Sequence, residues 1–233
     1  MPHKDDLSRP SLLHQLASAF LRIFFRLLYH SLAWAYDLVA ASVSVGRWQG
    51  WTLAATNLIA GLWVLELGYG PGHLQVHLRA AGKKVFGLDE SHQMARQAAR
   101  RLRKNGFPVH LVRGLGQNLP YANETFDNVL ATFPTLYIVD PQTLQEIRRV
   151  LRPNGQLVVL MSAWITGKGL ADRLMAFINR ITGQVPPPGC ELSKFTQPFT
   201  EAGFEANLRF EDHPGSRLMI ILAVKPNDEV SSV

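Results

Sequence analysis

The chain has 233 residues, 47% of them hydrophobic and 18% charged, with a formal net charge of +6. That length holds one sizeable core rather than two full domains, and the apolar content excludes wholesale disorder, because enough surface can be buried to offset the entropy of ordering the chain. Cys190 is the only cysteine, which excludes an intrachain disulfide or a cysteine-cluster metal site and leaves a cytoplasmic location as the expectation.

The opening MPHKDDLSRP carries two acidic residues and no apolar stretch directly after a basic one, so it does not read as a cleaved signal peptide. Residues 12–45 are rich in Leu, Phe, Ala and Tyr at helical spacing, with Arg22 and Arg26 four apart, and predict one or two amphipathic helices. A further helix is expected over 48–60. The uncharged stretch 48–65 is interrupted by Gln49, Gly50, Thr52, Asn57 and Gly61, too polar for a membrane span.

Strands and helices then alternate. Strand 62–67 runs into a glycine-rich turn, helix 73–81 stops at Gly82, strand 84–88 follows, and Ser91 caps a helix to Lys104 that ends at Asn105-Gly106. Arg96, Arg100, Arg101, Arg103 and Lys104 on that helix read as a solvated face. Strands at 109–113 and 126–132 lead to a helix opened by Asp140-Pro141, with Leu144, Ile147 and Leu151 on its buried stripe. Arg152-Pro-Asn-Gly155 reads as a sharp turn before a buried strand over 156–161. After Pro186-Pro-Pro-Gly189 a helix is expected near 192–202, and 204–211 with 218–224 form a terminal hairpin. The fold class is therefore α/β, a mostly parallel sheet with helices on both faces. Residues 1–60 form a helical extension, 61–225 the main domain with 164–190 as a lid insertion, and 226–233 a disordered tail.

The chemistry concentrates in VLELGYGPG at 64–72, an apolar strand ending in glycines at alternate positions, where the missing β-carbons open a groove for a flat ligand edge. Asp89 follows Gly72 by seventeen residues at the next strand end, where a carboxylate can accept hydrogen bonds from ribose hydroxyls. A nicotinamide fingerprint would place a third glycine where His73 stands, with pyrophosphate on the helix N-terminus. Glu66 instead puts a carboxylate beside the loop, which suits a cationic ligand and repels pyrophosphate, so a dehydrogenase is disfavoured. His73 and His77 lie four apart but lack a neighbouring Glu and a third ligand, and no metal is expected.

The segments VLELGYGPG, VFGLDES, LVRGLGQNLPYANETFDNVLATF and LQEIRRVLRPNGQLVVL resemble the successive motifs of class I S-adenosylmethionine-dependent methyltransferases, across residues 62–161. The resemblance implies a Rossmann-like seven-stranded sheet with the last strand inserted antiparallel, and S-adenosyl-L-methionine as cofactor. It places Glu66, Gly68, Gly70 and Gly72 around the methionine part, with Tyr69 between the glycines and His73 in the first helical turn beside it. Asp89 would hold the ribose; Glu90 and Met94 would border the adenine; Leu115, Gly116 and Gln117 would close the adenine pocket; Thr132 and Phe133 would stand near the methionine tail. Tyr36-Asp37 resembles the pair upstream of the first motif in quinone-type relatives, where such a residue covers the cofactor. Two departures stand out: many members carry an acidic residue where this chain has Leu115, and Tyr69 is bulkier than the usual small residue.

Methyl transfer from a sulfonium is an in-line displacement, so positioning can supply about 7 to 11 kcal/mol without an obvious triad. Tyr36, Tyr137 and His213 are the candidates for a catalytic group, each with packing as its alternative. Trp34, Tyr36, Trp48, Trp51, Phe177 and Ile178 would make an apolar cover over the acceptor, or simply pack helices onto the sheet. A small apolar acceptor such as a quinone or lipid is the first expectation, with residues 12–45 as a peripheral membrane contact. A nucleic-acid methyltransferase, favoured by a pI of about 9.7, is disfavoured by Ala131-Thr-Phe-Pro134 where a base-gripping Asn-Pro-Pro-Tyr type of sequence would stand. A cofactor-binding protein without transfer activity is the remaining alternative, resting on Leu115.

Overall fold

The structure, a computed structural model, describes residues 46–166 and 192–227. Helix α1 (Trp48–Thr56) precedes β1 (Trp63–Leu67), α2 (His73–Ala80), β2 (Lys84–Asp89), α3 (His92–Lys104), β3 (Leu111–Arg113) and β4 (Phe126–Thr132). A 3-10 turn (Leu136–Val139), α4 (Pro141–Val150), β5 (Leu151–Ile165), α5 (Ser193–Glu201), β6 (Glu205–His213) and β7 (Ser216–Val224) complete it. The strands form one seven-stranded sheet in the order β3-β2-β1-β4-β5-β7-β6. β1 to β5 are parallel, and β7 enters antiparallel between β5 and β6, as the motif pattern implied.

Period-two alternation divides two cores. Leu65 and Leu67 of β1, Val129 and Ala131 of β4, and Leu157 and Val159 of β5 face α4 and α5, meeting Leu144, Ile147 and Phe199. Val64, Leu130, Val158 and Leu160 face the other way, onto Trp51 and Ala55 of α1 and Leu74 and Leu78 of α2. Capping sets the helix starts. Ser91 accepts the N–H of Met94 at 3.3 Å, and Asp140 accepts that of Thr143 at 2.9 Å with Pro141 behind it.

Three expectations change. Arg152 to Gly155 is a bulge within β5 rather than a turn before it: Leu151 already pairs with Phe126, and pairing resumes at Gln156 with Asn128. Trp164 and Ile165 belong to β5, paired with Arg217 and Ser216, so they are not part of a lid. Arg101 leaves the solvated face of α3, its guanidinium donating to the carbonyl of Pro71 in the glycine loop. The expected N-terminal helices over 12–45 with Trp34, Tyr36 and Asp37, the rest of the lid with Phe177, Ile178 and Pro186–Gly189, and the tail from 228 lie outside the described residues. Among the described residues no helix is long and apolar enough to cross a membrane.

Candidate functional site

A cavity of about 360 Å³ opens at the carboxyl ends of β1, β2 and β4, where parallel sheets of this winding bind ligands and where the chain order reverses between β1 and β4. Its floor is Leu67, Gly68 and Gly70; one wall is Leu88, Asp89, Glu90, Ser91 and Met94; another is Gly114, Leu115, Gly116 and Gln117; and the β4 end adds Thr132, Phe133, Pro134, Thr135 and Tyr137. The volume lies at the low end of small-molecule pockets.

The glycine loop makes the floor. Gly68 at φ 70° and Gly70 at φ 51° turn the chain where other residues are strained, and the Gly70 N–H donates to Asp89 Oδ2 at 2.9 Å. Gly72 serves another purpose: a Cβ there would stand 2.7 Å from Ala98 Cβ, so this glycine lets α3 pack against the loop and does not border the cavity.

Asp89 is the best-defined group of the cavity wall. Its Oδ1 accepts the Ser91 N–H at 2.8 Å while Oδ2 holds Gly70, which fixes the carboxylate and leaves lone pairs for further donors. Burial pushes its pKa above the ordinary value, the N–H groups of Ser91 and Gly70 pull it back, and Glu90 nearby adds to the rise.

Glu66 is elsewhere. It faces α2, is 2% exposed, and accepts from Gln75 Nε2 at 2.8 Å. Burial raises its pKa to about 8, against the Gln75 hydrogen bond and with the help of Asp89. Buried against α2 and outside the cavity lining, it does not present the bare carboxylate to a ligand that the sequence suggested. Tyr69 is also buried behind the loop rather than in the cavity wall, and His73 lies outside the lining. Of the catalytic candidates, Tyr137 lines the cavity, its Oη 3.4 Å from the carbonyl of Leu67. His213 stands at the end of β6 against Gly50 of α1, outside the lining, and Tyr36 lies outside the described residues. No group of three or more His, Cys, Asp or Glu among the described residues could hold a metal ion.

The remaining candidates, Gly68, Gly70, Asp89, Glu90, Met94, Leu115, Gly116, Gln117, Thr132 and Phe133, meet at one cavity. Sequence reasoning missed Leu67, Leu88, Ser91, Gly114, Pro134 and Thr135, each at or just beyond a strand end, where position alone could have found them. It also missed how Phe133 is held. With φ 50° it occupies a strained backbone conformation for a non-glycine residue, and its ring stacks on Trp48 with centroids 4.2 Å apart and tilts against Trp51 at 6.2 Å. The β4 end of the cavity is thereby walled by aromatic carbon.

This donor set fits S-adenosylmethionine. A carboxylate with spare lone pairs suits a ribose diol, Leu88, Met94 and Leu115 give apolar surface for a base, and the glycine floor leaves space that a Cβ at Gly68 or Gly70 would narrow.

A family model described as a methyltransferase domain matches residues 64–155. The demethylmenaquinone methyltransferase of Clavibacter sepedonicus is 34% identical over 129 residues, 54% of this chain and 52% of the relative, so the chain spans about half of that relative's length. That of Mycobacterium sp. strain KMS is 32% identical over 171 residues, 72% of this chain and 68% of the relative. A Haemonchus contortus phosphoethanolamine N-methyltransferase 2, solved with phosphomonomethylethanolamine and S-adenosylhomocysteine, superposes with a TM-score of 0.57 at 16% identity, covering 78% of this chain and 53% of that one. That likeness speaks for the fold alone. Two thirds of the mycobacterial relative's length is matched by a chain whose glycine loop and strand-end acid meet at one cavity, and the chain accordingly belongs to the class I S-adenosylmethionine-dependent methyltransferase family.

Proposed function

We propose that the protein is an S-adenosylmethionine-dependent methyltransferase acting on a small apolar acceptor of the quinone type. The observation that carries the reading is Asp89, locked by Gly70 and Ser91 at the end of β2 and facing the cavity. The quinone assignment draws on the names of the relatives, demethylmenaquinone methyltransferases and ubiquinone/menaquinone biosynthesis C-methyltransferases, and on the aromatic wall of Phe133 and Trp48.

Bound S-adenosylmethionine supplies an electrophilic methyl group on a sulfonium. Asp89 would accept the ribose hydroxyls; Glu90, Met94, Leu115, Gly116 and Gln117 would border the base; Gly68 and Gly70 would floor the site; and Thr132 and Phe133 would stand near the amino-acid tail. Phe133, backed by Trp48, would shield the β4 end of the cavity from water, and Tyr137 would offer a phenol to orient the acceptor. Holding donor and acceptor in line is the main contribution, worth about 7 to 11 kcal/mol.

Calorimetric titration with S-adenosylmethionine tests the reading. Asp89→Ala is expected to weaken binding roughly tenfold to a hundredfold, as loss of charge-assisted hydrogen bonds does, with little change in the circular dichroism spectrum. Unchanged affinity would remove Asp89 from the site. Methyl transfer to a reduced demethylmenaquinone and not to phosphoethanolamine is the expected acceptor result, and the reverse would overturn the quinone assignment.

A further inference from the structure

The net charge is not spread over the chain. Residues 73–113 hold nine Lys and Arg against two Asp and Glu, a net of +7, so the rest of the chain carries a net of one negative charge beside the overall +6. This segment builds α2, β2, α3 and β3, and β3 is the edge of the sheet. Helix α3 contains no acidic residue. Its buried side is Met94, Ala98 and Leu102, while Arg96, Arg100, Arg103 and Lys104 are all exposed. Their spacing of four, three and one places them within a third of the helix circumference, opposite the buried side. None of the four joins an ion pair among the described residues. Four like charges on one stripe repel one another, and an anionic partner relieves that repulsion.

The start of the same helix reaches the cavity, since Ser91 and Met94 line it together with Leu115. Leu115 follows edge strand β3 by two residues and is 56% exposed, and Leu136, just beyond β4, is 85% exposed. A stripe of four exposed cations on one helix face matches an anionic lipid surface, whose headgroups would face the arginines and the lysine. A nucleic acid would want aromatic platforms interleaved with the basic residues, and α3 has none.

We propose that the α3 face of the β3 edge is a docking surface for an anionic phospholipid bilayer, carried by Arg96, Arg100, Arg103 and Lys104. The surface acts whether or not methyl transfer occurs, so its failure and the failure of the catalytic reading are separate results.

The test is co-sedimentation of the purified full chain with vesicles of phosphatidylcholine alone or mixed with phosphatidylglycerol. Binding is expected only to the mixed vesicles at about 0.1 M salt and is expected to be lost near 1 M, where screening shortens to about 3 Å. The variant R96Q/R100Q/R103Q/K104Q is expected to bind at least roughly tenfold more weakly, with unchanged calorimetric affinity for S-adenosylmethionine. The pairs R96Q/R100Q and R103Q/K104Q carry the same test in smaller steps should the fourfold variant fold poorly. Equal binding to neutral and anionic vesicles, wild-type binding by the glutamine variants, or tighter binding to single-stranded RNA than to vesicles at matched salt would each overturn the proposal.

Discussion

The ring of Tyr69 occupies the space that a side chain on Gly87 would need. A Cβ at Gly87 would lie 2.6 Å from Tyr69 Cδ1, with Leu111 Cδ2 at 2.8 Å and Gln75 Nε2 at 2.9 Å on its other sides. The bulky residue in the glycine loop is therefore matched by a missing side chain in β2, and Tyr69 props the loop from behind. Gly87→Ala is expected to destabilise the protein by about 1 to 3 kcal/mol through overpacking, read as a fall in Tm of about 2 to 4 °C per kcal/mol. In a Tyr69→Ala background the same change should cost less, so the two effects add to less than their sum. Full additivity would mean that the two positions do not share this space.

Glu66 predicts a pH dependence of stability. In the unfolded chain it ionises near the ordinary value of 4.5, and in the folded protein burial raises its pKa to about 8. Between those values the native state keeps a proton that the unfolded chain has released, so rising pH weakens folding across this window. Below it the penalty vanishes, and above about 8 it is constant. Glu66→Gln cannot ionise and has no such penalty. Its Tm advantage over wild type should therefore grow between about pH 5 and pH 8, and a difference that stays flat with pH would show Glu66 to be solvated.

The strands were legible because punctuation and period agree in them. Strand β4 runs over Phe126–Thr132 as read, and Ser91 and Asp140 cap helices as their residue types predict. The bulge in β5 was hidden because Arg152-Pro-Asn-Gly155 has turn composition, and only pairing with β4 decides that the strand begins before it. The direction of Glu66 was half legible: Leu65 and Leu67 share one core and Val64 the other, so alternation puts Glu66 on the α2 side. What no pattern carries is the approach of Gly72 to Ala98 or of Phe133 to Trp48, since both depend on how distant elements dock.

Asp127 ties three elements together and should set the acid limit of the fold. Its Oδ2 accepts the N–H groups of Leu62 at 2.7 Å and Trp63 at 2.9 Å, and Oδ1 meets the Arg152 guanidinium at 2.5 Å. Partial burial alone would raise its pKa, but the Trp63 and Leu62 hydrogen bonds and Arg152 outweigh it and hold the carboxyl below the ordinary value. Its contribution is then fully present above the unfolded pKa of about 3.9 and is lost as pH falls through the lower folded value. Asp127→Ala is expected to cost about 2 kcal/mol near neutral pH, because two N–H groups lose a charged acceptor. The gap to wild type should close below about pH 4. A variant with wild-type Tm at pH 7 would show that the β1 entry is held by other contacts.

Leu115 offers the sharpest probe of where the base lies. It lines the cavity together with Gln117 and Met94, at the position where many family members carry an acid that can accept from the adenine amino group. Leu115→Asp would restore that acceptor at a half-exposed site, where one hydrogen bond is worth about 1 kcal/mol, or roughly fivefold in affinity. A new carboxylate would also attract a sulfonium from any direction, so the gain must be measured with S-adenosylhomocysteine, whose neutral thioether lacks that charge. An analogue bearing two methyl groups on the adenine nitrogen has no N–H to give and should gain nothing. If both nucleosides gained equally, the added charge would be acting at long range and the base would lie elsewhere; if only the unmodified one gained, Leu115 borders the adenine edge.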